Sequence, residues 1–182
     1  MTLNEIVAEA LGRLGRDTGM QTIDNYRQTF AVYANRAIRK IALKFKQTRK
    51  ETVELEEDHG FDLSQLSHEC YMVLEVRANG RSVDYYQEPL GSGYFICVTE
   101  EPQVDVIYRF VPNKLAAPSS VPELPEYMHD LITHYVVACE RCGGDPETQG
   151  TSSADFQLFN EGLREILRET RGEPRSYNLL NY

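Results

Sequence analysis

The feature that most constrains this chain is a change of hydrophobic period, from 3.6 residues to 2.0 and back, along its 182 residues. Apolar residues every three to four positions build one face of a helix, whereas strict alternation builds one face of a strand. Leu3, Ile6, Val7, Ala10, Leu11 and Leu14 recur at helical spacing. Thr2 and Glu5 stand three apart in front of them, the spacing of a capping box, and Gly15 suits the helix stop. A longer stripe follows in Ile23, Tyr26, Phe30, Ala34, Ala37, Ile38, Ile41 and Phe45.

Near Glu51 the period changes. Val53 and Leu55 alternate with charged neighbours, and Cys70, Met72, Leu74, Val76 and Ala78 alternate with Tyr71, Val73, Glu75 and Arg77. Asn79-Gly80 follows at once, a dipeptide that supplies the positive φ angles of a tight hairpin. Ser82 to Gln87 then reads as the returning strand, Tyr94 to Thr99 as another, and Val104, Val106, Tyr108 and Phe110 as a last one.

From Pro112 to Pro125 the chain has four prolines in fourteen residues, too many for a helix or a central strand. This stretch reads as an extended connector, with Pro125 near the first turn of the next helix. Met128, Leu131, Ile132, Tyr135, Val136 and Cys139 restore the helical stripe, which stops at Gly143-Gly144. A polar loop leads to a last helix carrying Phe156, Phe159, Leu163, Ile166 and Leu167. The expected fold is therefore α+β: mainly an α-helical bundle with an inserted small antiparallel β-sheet and an extended C-terminal tail. One domain spans 1–170, with helices over 2–15, 23–48, 125–142 and 153–170 and the β insertion over 51–111. Residues 171–182 form the tail.

Charge bears on function. The net charge of −9 argues against a general nucleic-acid binder, whose footprint is a basic surface. It is unevenly placed, however. Between Asn25 and Lys50 lie Arg27, Arg36, Arg39, Lys40, Lys44, Lys46, Arg49 and Lys50 and no acid. Glu51, Glu54, Glu56, Glu57, Asp58 and Asp62 follow directly. Cations that lack acidic neighbours at i+4 repel one another, so an external acidic partner is expected for Arg36, Arg39, Lys40 and Lys44. The longest apolar runs are a few residues, too short to span a bilayer. The opening helix pattern does not read as a secretory signal, and four scattered cysteines suit synthesis in a reducing cytoplasm.

The chemical motifs are sparse. Cys139-x-x-Cys142 sits at a helix C-terminus, where the helix dipole opposes a thiolate, and it has no second pair for zinc. Asp130 and His134 are i, i+4 neighbours without a nucleophile or metal beside them. His68-Glu69 lacks a second histidine, and Gly91-Ser92-Gly93 lacks the lysine of a phosphate loop. No catalytic residue, metal ligand or cofactor site is expected. The tail differs from a solvated end. Arg171-Gly172-Glu173-Pro174 breaks the last helix, and Tyr177, Leu179, Leu180 and Tyr182 then make it too apolar to leave in water. These four are expected to dock in a partner's groove or on a sheet edge.

Two passages carry a family resemblance: Val104-Asp105-Val106-Ile107-Tyr108-Arg109-Phe110-Val111-Pro112, with a V-x-Y-x-x-x-P strand end, and Pro122-Glu-Leu-Pro-Glu-Tyr-Met-His-Asp-Leu-Ile132. Together with Phe159 and Leu163 in an F-x-x-x-L helix, and in this order, they resemble the head–tail adaptors (connectors) of tailed bacteriophages. Val136 stands where a small alanine is common in that family, and the tail is longer than in some members. The resemblance implies a structural virion protein made in the host cytoplasm. It implies a ring, commonly a dodecamer, in the neck between the portal protein and a downstream tail or nozzle protein. DNA would pass through its channel without specific binding. No catalysis, cofactor or membrane is implied. The competing class is a nucleic-acid-binding regulator using the basic helix over 27–50. That class would favour a helix-turn-helix or exposed aromatics beside the cations, and neither is evident.

Overall fold

The computed structural model describes residues 1–89, 91–149 and 153–170. Helix α1 spans Leu3–Arg13, and its capping box is formed: the Thr2 hydroxyl accepts from the Glu5 N–H, and the Glu5 carboxylate accepts from the Thr2 N–H at 2.8 Å. Gly15 follows the helix with φ of 68°, a left-handed conformation that glycine adopts without a Cβ clash. Helix α2 spans Met20–Phe45. It starts earlier than its apolar stripe requires, because Gly19 takes the cap position. It ends at Lys46, whose φ of 58° terminates the helix, so the first strand begins at Thr48.

The β region corrects the expectation of a helical bundle carrying one small sheet. Among the described residues seven strands form two antiparallel sheets: β1 Thr48–Glu54, β2 Gly60–Asp62, β3 Glu69–Ala78, β4 Arg81–Ser82, β5 Tyr85–Gln87, β6 Tyr94–Cys97 and β7 Gln103–Val111. The larger sheet has the order β1-β7-β3-β4, the smaller β2-β6-β5. The Asn79-Gly80 turn is present, both residues at positive φ, and joins β3 to β4. What was expected as one strand from Ser82 to Gln87 is broken after Ser82, and its second half belongs to the other sheet. The Val83 N–H still donates to Val76 of the larger sheet at 3.0 Å, whereas the Asp84 carbonyl already accepts from Val98, just past β6, at 2.8 Å. This crossing lets the two sheets face one another.

Their facing sides bury a core of their own. Val53, Val76, Ala78, Val104, Val106, Tyr108 and Phe110 from the larger sheet meet Phe61 and Cys97 from the smaller, with Tyr85 and Phe95 packed at the margin. The Phe61 and Phe95 rings stack at 5.6 Å. A separate core fills the helical half, where Leu3, Ile6, Phe30, Ala34, Ile38, Ile41, Met128, Ile132, Tyr135, Phe159 and Leu163 are buried together. The molecule is thus a mixed helical and sandwich-like fold with two cores. Burial of both faces' apolar side chains, rather than attachment to the bundle, stabilises the sheets.

After β7 the proline-rich connector runs along the bundle. Leu3 and Asn4 donate from their backbones to Ser120 and Pro118 carbonyls at 2.8 and 3.1 Å. Asn35 on α2 both donates to the Leu115 carbonyl (3.2 Å) and accepts from its N–H (2.8 Å). A 3₁₀ turn over Glu126–Met128 opens helix α3, His129–Cys142, which ends at Gly143 with φ of 69°. A one-turn helix α4, Pro146–Gln149, occupies part of the expected polar loop, and α5 spans Ala154–Thr170.

Candidate functional site

The basic face of α2 is where the sequence points, and the fold divides it. Arg39 Nη1 lies 2.8 Å from Glu69 at the start of β3, and Lys40 Nζ lies 2.6 Å from Glu147 on α4. Arg27 is paired with Asp24, Arg49 with Glu51 at 2.8 Å, and Lys50 with Asp105 at 2.8 Å. Five of the eight basic residues between Asn25 and Lys50 therefore have an acidic partner within the chain. Their partners are mostly supplied by residues remote in sequence, which helical spacing cannot reveal. Arg36, Lys44 and Lys46 are exposed and in no ion pair among the described residues. Val32 and Leu43, 48% and 40% exposed, share that surface. Tyr177, Leu179, Leu180 and Tyr182 lie outside the described residues.

The acidic stretch after Glu51 is likewise put to internal use. The Tyr94 hydroxyl donates to Asp58 at 2.7 Å and lies 3.1 Å from Glu56, and Asp62 accepts from the Ser64 N–H at 2.7 Å. These bonds hold the Asp58 and Asp62 carboxyls below their ordinary pKa. Gly60 is what admits the Tyr94 ring, since a methyl group there would overlap its hydroxyl and edge. Beside this cluster a shallow hollow of about 420 Å³ is lined by Asp58, His59, Tyr86, Ile96, Val98 and Glu100.

A polar network around the buried His68 joins the sandwich to the connector, and no sequence spacing announced it. Glu51 on β1 accepts from the Ser67 hydroxyl (2.5 Å), the Ser67 N–H (2.9 Å) and the Tyr108 hydroxyl (2.7 Å). Burial raises the Glu51 pKa, but these bonds and Arg49 outweigh it and hold the carboxyl at about 2. His68 is buried, with Nδ1 2.7 Å from the Ser67 hydroxyl and Nε2 2.7 Å from Glu123 of the connector. Serine, histidine and glutamate in a row resemble a nucleophilic triad only in name. The single Ser67 proton is directed at Glu51, so its lone pairs face the imidazole; a triad needs the proton directed at the imidazole. The arrangement can orient the connector against β1 and β7.

The other motifs resolve locally. His134 pairs with Asp155 on α5 at 3.1 Å and has Arg13 at 2.9 Å, rather than coupling to Asp130. Arg141 closes the cluster on Asp155 at 2.8 Å. Cys139 is wholly buried, and burial pushes its thiol up to about 12. Cys142 donates to the Ala138 carbonyl at 3.0 Å. Among the described residues no group of three or more His, Cys, Asp or Glu is arranged to hold a metal ion, and no helix is long and apolar enough to cross a membrane. No protein-family model matches the chain, and no curated protein matches its sequence.

Proposed function

We propose that this chain is a structural head–tail adaptor of a tailed bacteriophage, a ring subunit in the virion neck between the portal protein and a tail component. The observation that carries the reading is the passage from β7 through the connector into α3. The residues that resemble the adaptor family there are those that organise this fold. Val104, Val106, Tyr108 and Phe110 line the sandwich core, and Met128, Ile132 and Tyr135 line the bundle core. A second support is the separation of charge. A ring needs heterologous contacts, one surface meeting a different surface of the next copy, and the charge that internal pairing leaves exposed, Arg36 and Lys44 on α2 and Glu88 and Glu100 by the smaller sheet, suits them. The acidic net charge suits a channel through which DNA must pass without being gripped.

The mass of the purified protein, measured alone and after mixing with portal protein, tests this. A closed oligomer or a portal-bound ring is expected, together with no DNA shift in a gel at physiological salt. A monomer that ignores the portal and shifts DNA would replace the adaptor by a nucleic-acid-binding regulator. The internal pairing of Arg27, Arg39, Lys40, Arg49 and Lys50 leaves little basic surface for that second role. Removing residues after 174 is expected to leave a folded subunit that no longer joins its neighbour, because Tyr177, Leu179, Leu180 and Tyr182 are the apolar part of the tail.

A further inference from the structure

The smaller sheet has one face in the sandwich core and one face uncovered. Alternation along β5 and β6 puts Tyr85, Phe95 and Cys97 inward, and therefore Tyr86 and Ile96, which are cross-strand partners, outward. Tyr86 is 51% exposed and Val98, just past β6, is 65% exposed. Together they make the apolar part of the hollow described above, and Asp58 and Glu100 stand at its margin. Glu88, two residues beyond Tyr86, is exposed as well. The surroundings carry a single sign: no Lys or Arg occurs between Glu51 and Val76, or between Ser82 and Tyr108. An apolar hollow with an acidic rim recognises an apolar side chain flanked by cations.

The same chain presents that chemistry elsewhere. Val32, Arg36 and Leu43 recur at i, i+4 and i+11, which places them on one exposed stripe of α2, and Lys44 adjoins it. Arg39 and Lys40 between them are occupied by Glu69 and Glu147, so Arg36 and Lys44 on the helix, with Lys46 at its cap, are the cations unpaired among the described residues. Among the described residues neither patch is covered by the other. Each has what the other lacks.

We infer that the uncovered face of the smaller sheet is the docking site for the exposed α2 stripe of a second copy of this chain, Leu43 seated against Tyr86 and Val98 with Arg36 and Lys44 on the acidic rim. The inference rests on the adaptor reading, and it names the two surfaces of its head-to-tail contact. Because donor and acceptor surfaces differ, each copy retains one of each, and the contact propagates until a ring closes.

Charge reversal in sedimentation velocity tests the pairing. Arg36→Glu with Lys44→Glu, and separately Glu88→Lys with Glu100→Lys, should each weaken self-association by about tenfold or more. All four changes in one chain should restore it. All these residues are exposed, and circular dichroism checks that each variant is folded. For a weak contact, Leu43→Cys and Val98→Cys chains with the native cysteines replaced are mixed with a short bifunctional maleimide. Covalent dimers are expected in the mixture and not in either variant alone. If the wild type assembles but neither reversal weakens it, or the fourfold variant is no better than the pairs, this contact is wrong and the ring reading survives. If the wild type neither assembles nor cross-links, alone or with portal protein, both are overturned.

Discussion

His68 Nε2 stands 2.7 Å from Glu123 Oε2, across 55 residues of sequence, and this bond ties the start of β3 to the connector that leads back to the helices. The imidazole is buried and packs edge-on against Phe110 at 4.8 Å. The Glu123 side chain is 42% exposed, so the bond is half-buried and carries part of the strength of a fully buried one. His68→Ala and Glu123→Ala should each destabilise the chain by about 1–3 kcal/mol. A double-mutant cycle in urea should return a coupling of about 1–2 kcal/mol. Strict additivity would mean that the connector is held by its backbone bonds alone.

Glu51 gives the protein an acid limit. Its folded pKa of about 2 lies below the ordinary 4.5, so the unfolded chain takes up the proton first. The stabilisation is present in full above pH 4.5 and is lost as the pH falls toward 2. Stability measured by urea denaturation over that range should fall less steeply in Glu51→Gln, whose side chain cannot titrate. An identical slope in the variant would move the acid sensitivity to other carboxylates.

Gly60→Ala should displace the Tyr94 ring, because the added methyl overlaps its hydroxyl and the ring atoms beside it. Forcing that shift breaks the contacts of the Tyr94 hydroxyl with the acidic cluster. The Tyr94 phenol is held above its ordinary pKa by the Asp58 carboxylate first, so releasing the ring lets it ionise at lower pH. Ultraviolet titration of Gly60→Ala against Tyr94→Phe reads this directly. An unchanged phenolate titration would show that the ring accommodates the methyl in place.

Cys97 and Cys139 should resist alkylation at pH 8 in the native protein. Burial lifts the two thiols to about 11 and about 12, so almost no thiolate is present and little of it is reachable. Mass spectrometry after iodoacetamide treatment should find both labelled only once denaturant is added. Rapid native labelling of Cys139 would put a reactive thiol where the structure has a packing residue.

The sequence by itself determined the elements that local chemistry dictates. The capping box at Thr2, the stripes of α1, α2, α3 and α5, the Asn79-Gly80 turn and the alternation of β7 were all legible, because each depends on residues within a few positions of one another. The two-sheet arrangement was not. The break after Ser82 sends Tyr85 to a second sheet, and the reason lies in Val98 and Phe61, whose positions depend on the whole sandwich. The candidate surfaces divide the same way. The run of cations on α2 could be read directly, but which of them remain for a partner could not. Arg39 and Lys40 are claimed by Glu69 and Glu147, 30 and 107 residues away, leaving Arg36 and Lys44 on the helix and Lys46 at its cap. The Glu51–Ser67–His68–Glu123 network has no sequence signature either. Its members come from separate elements, and only the closure of the sandwich against the connector brings their polar groups within bonding distance.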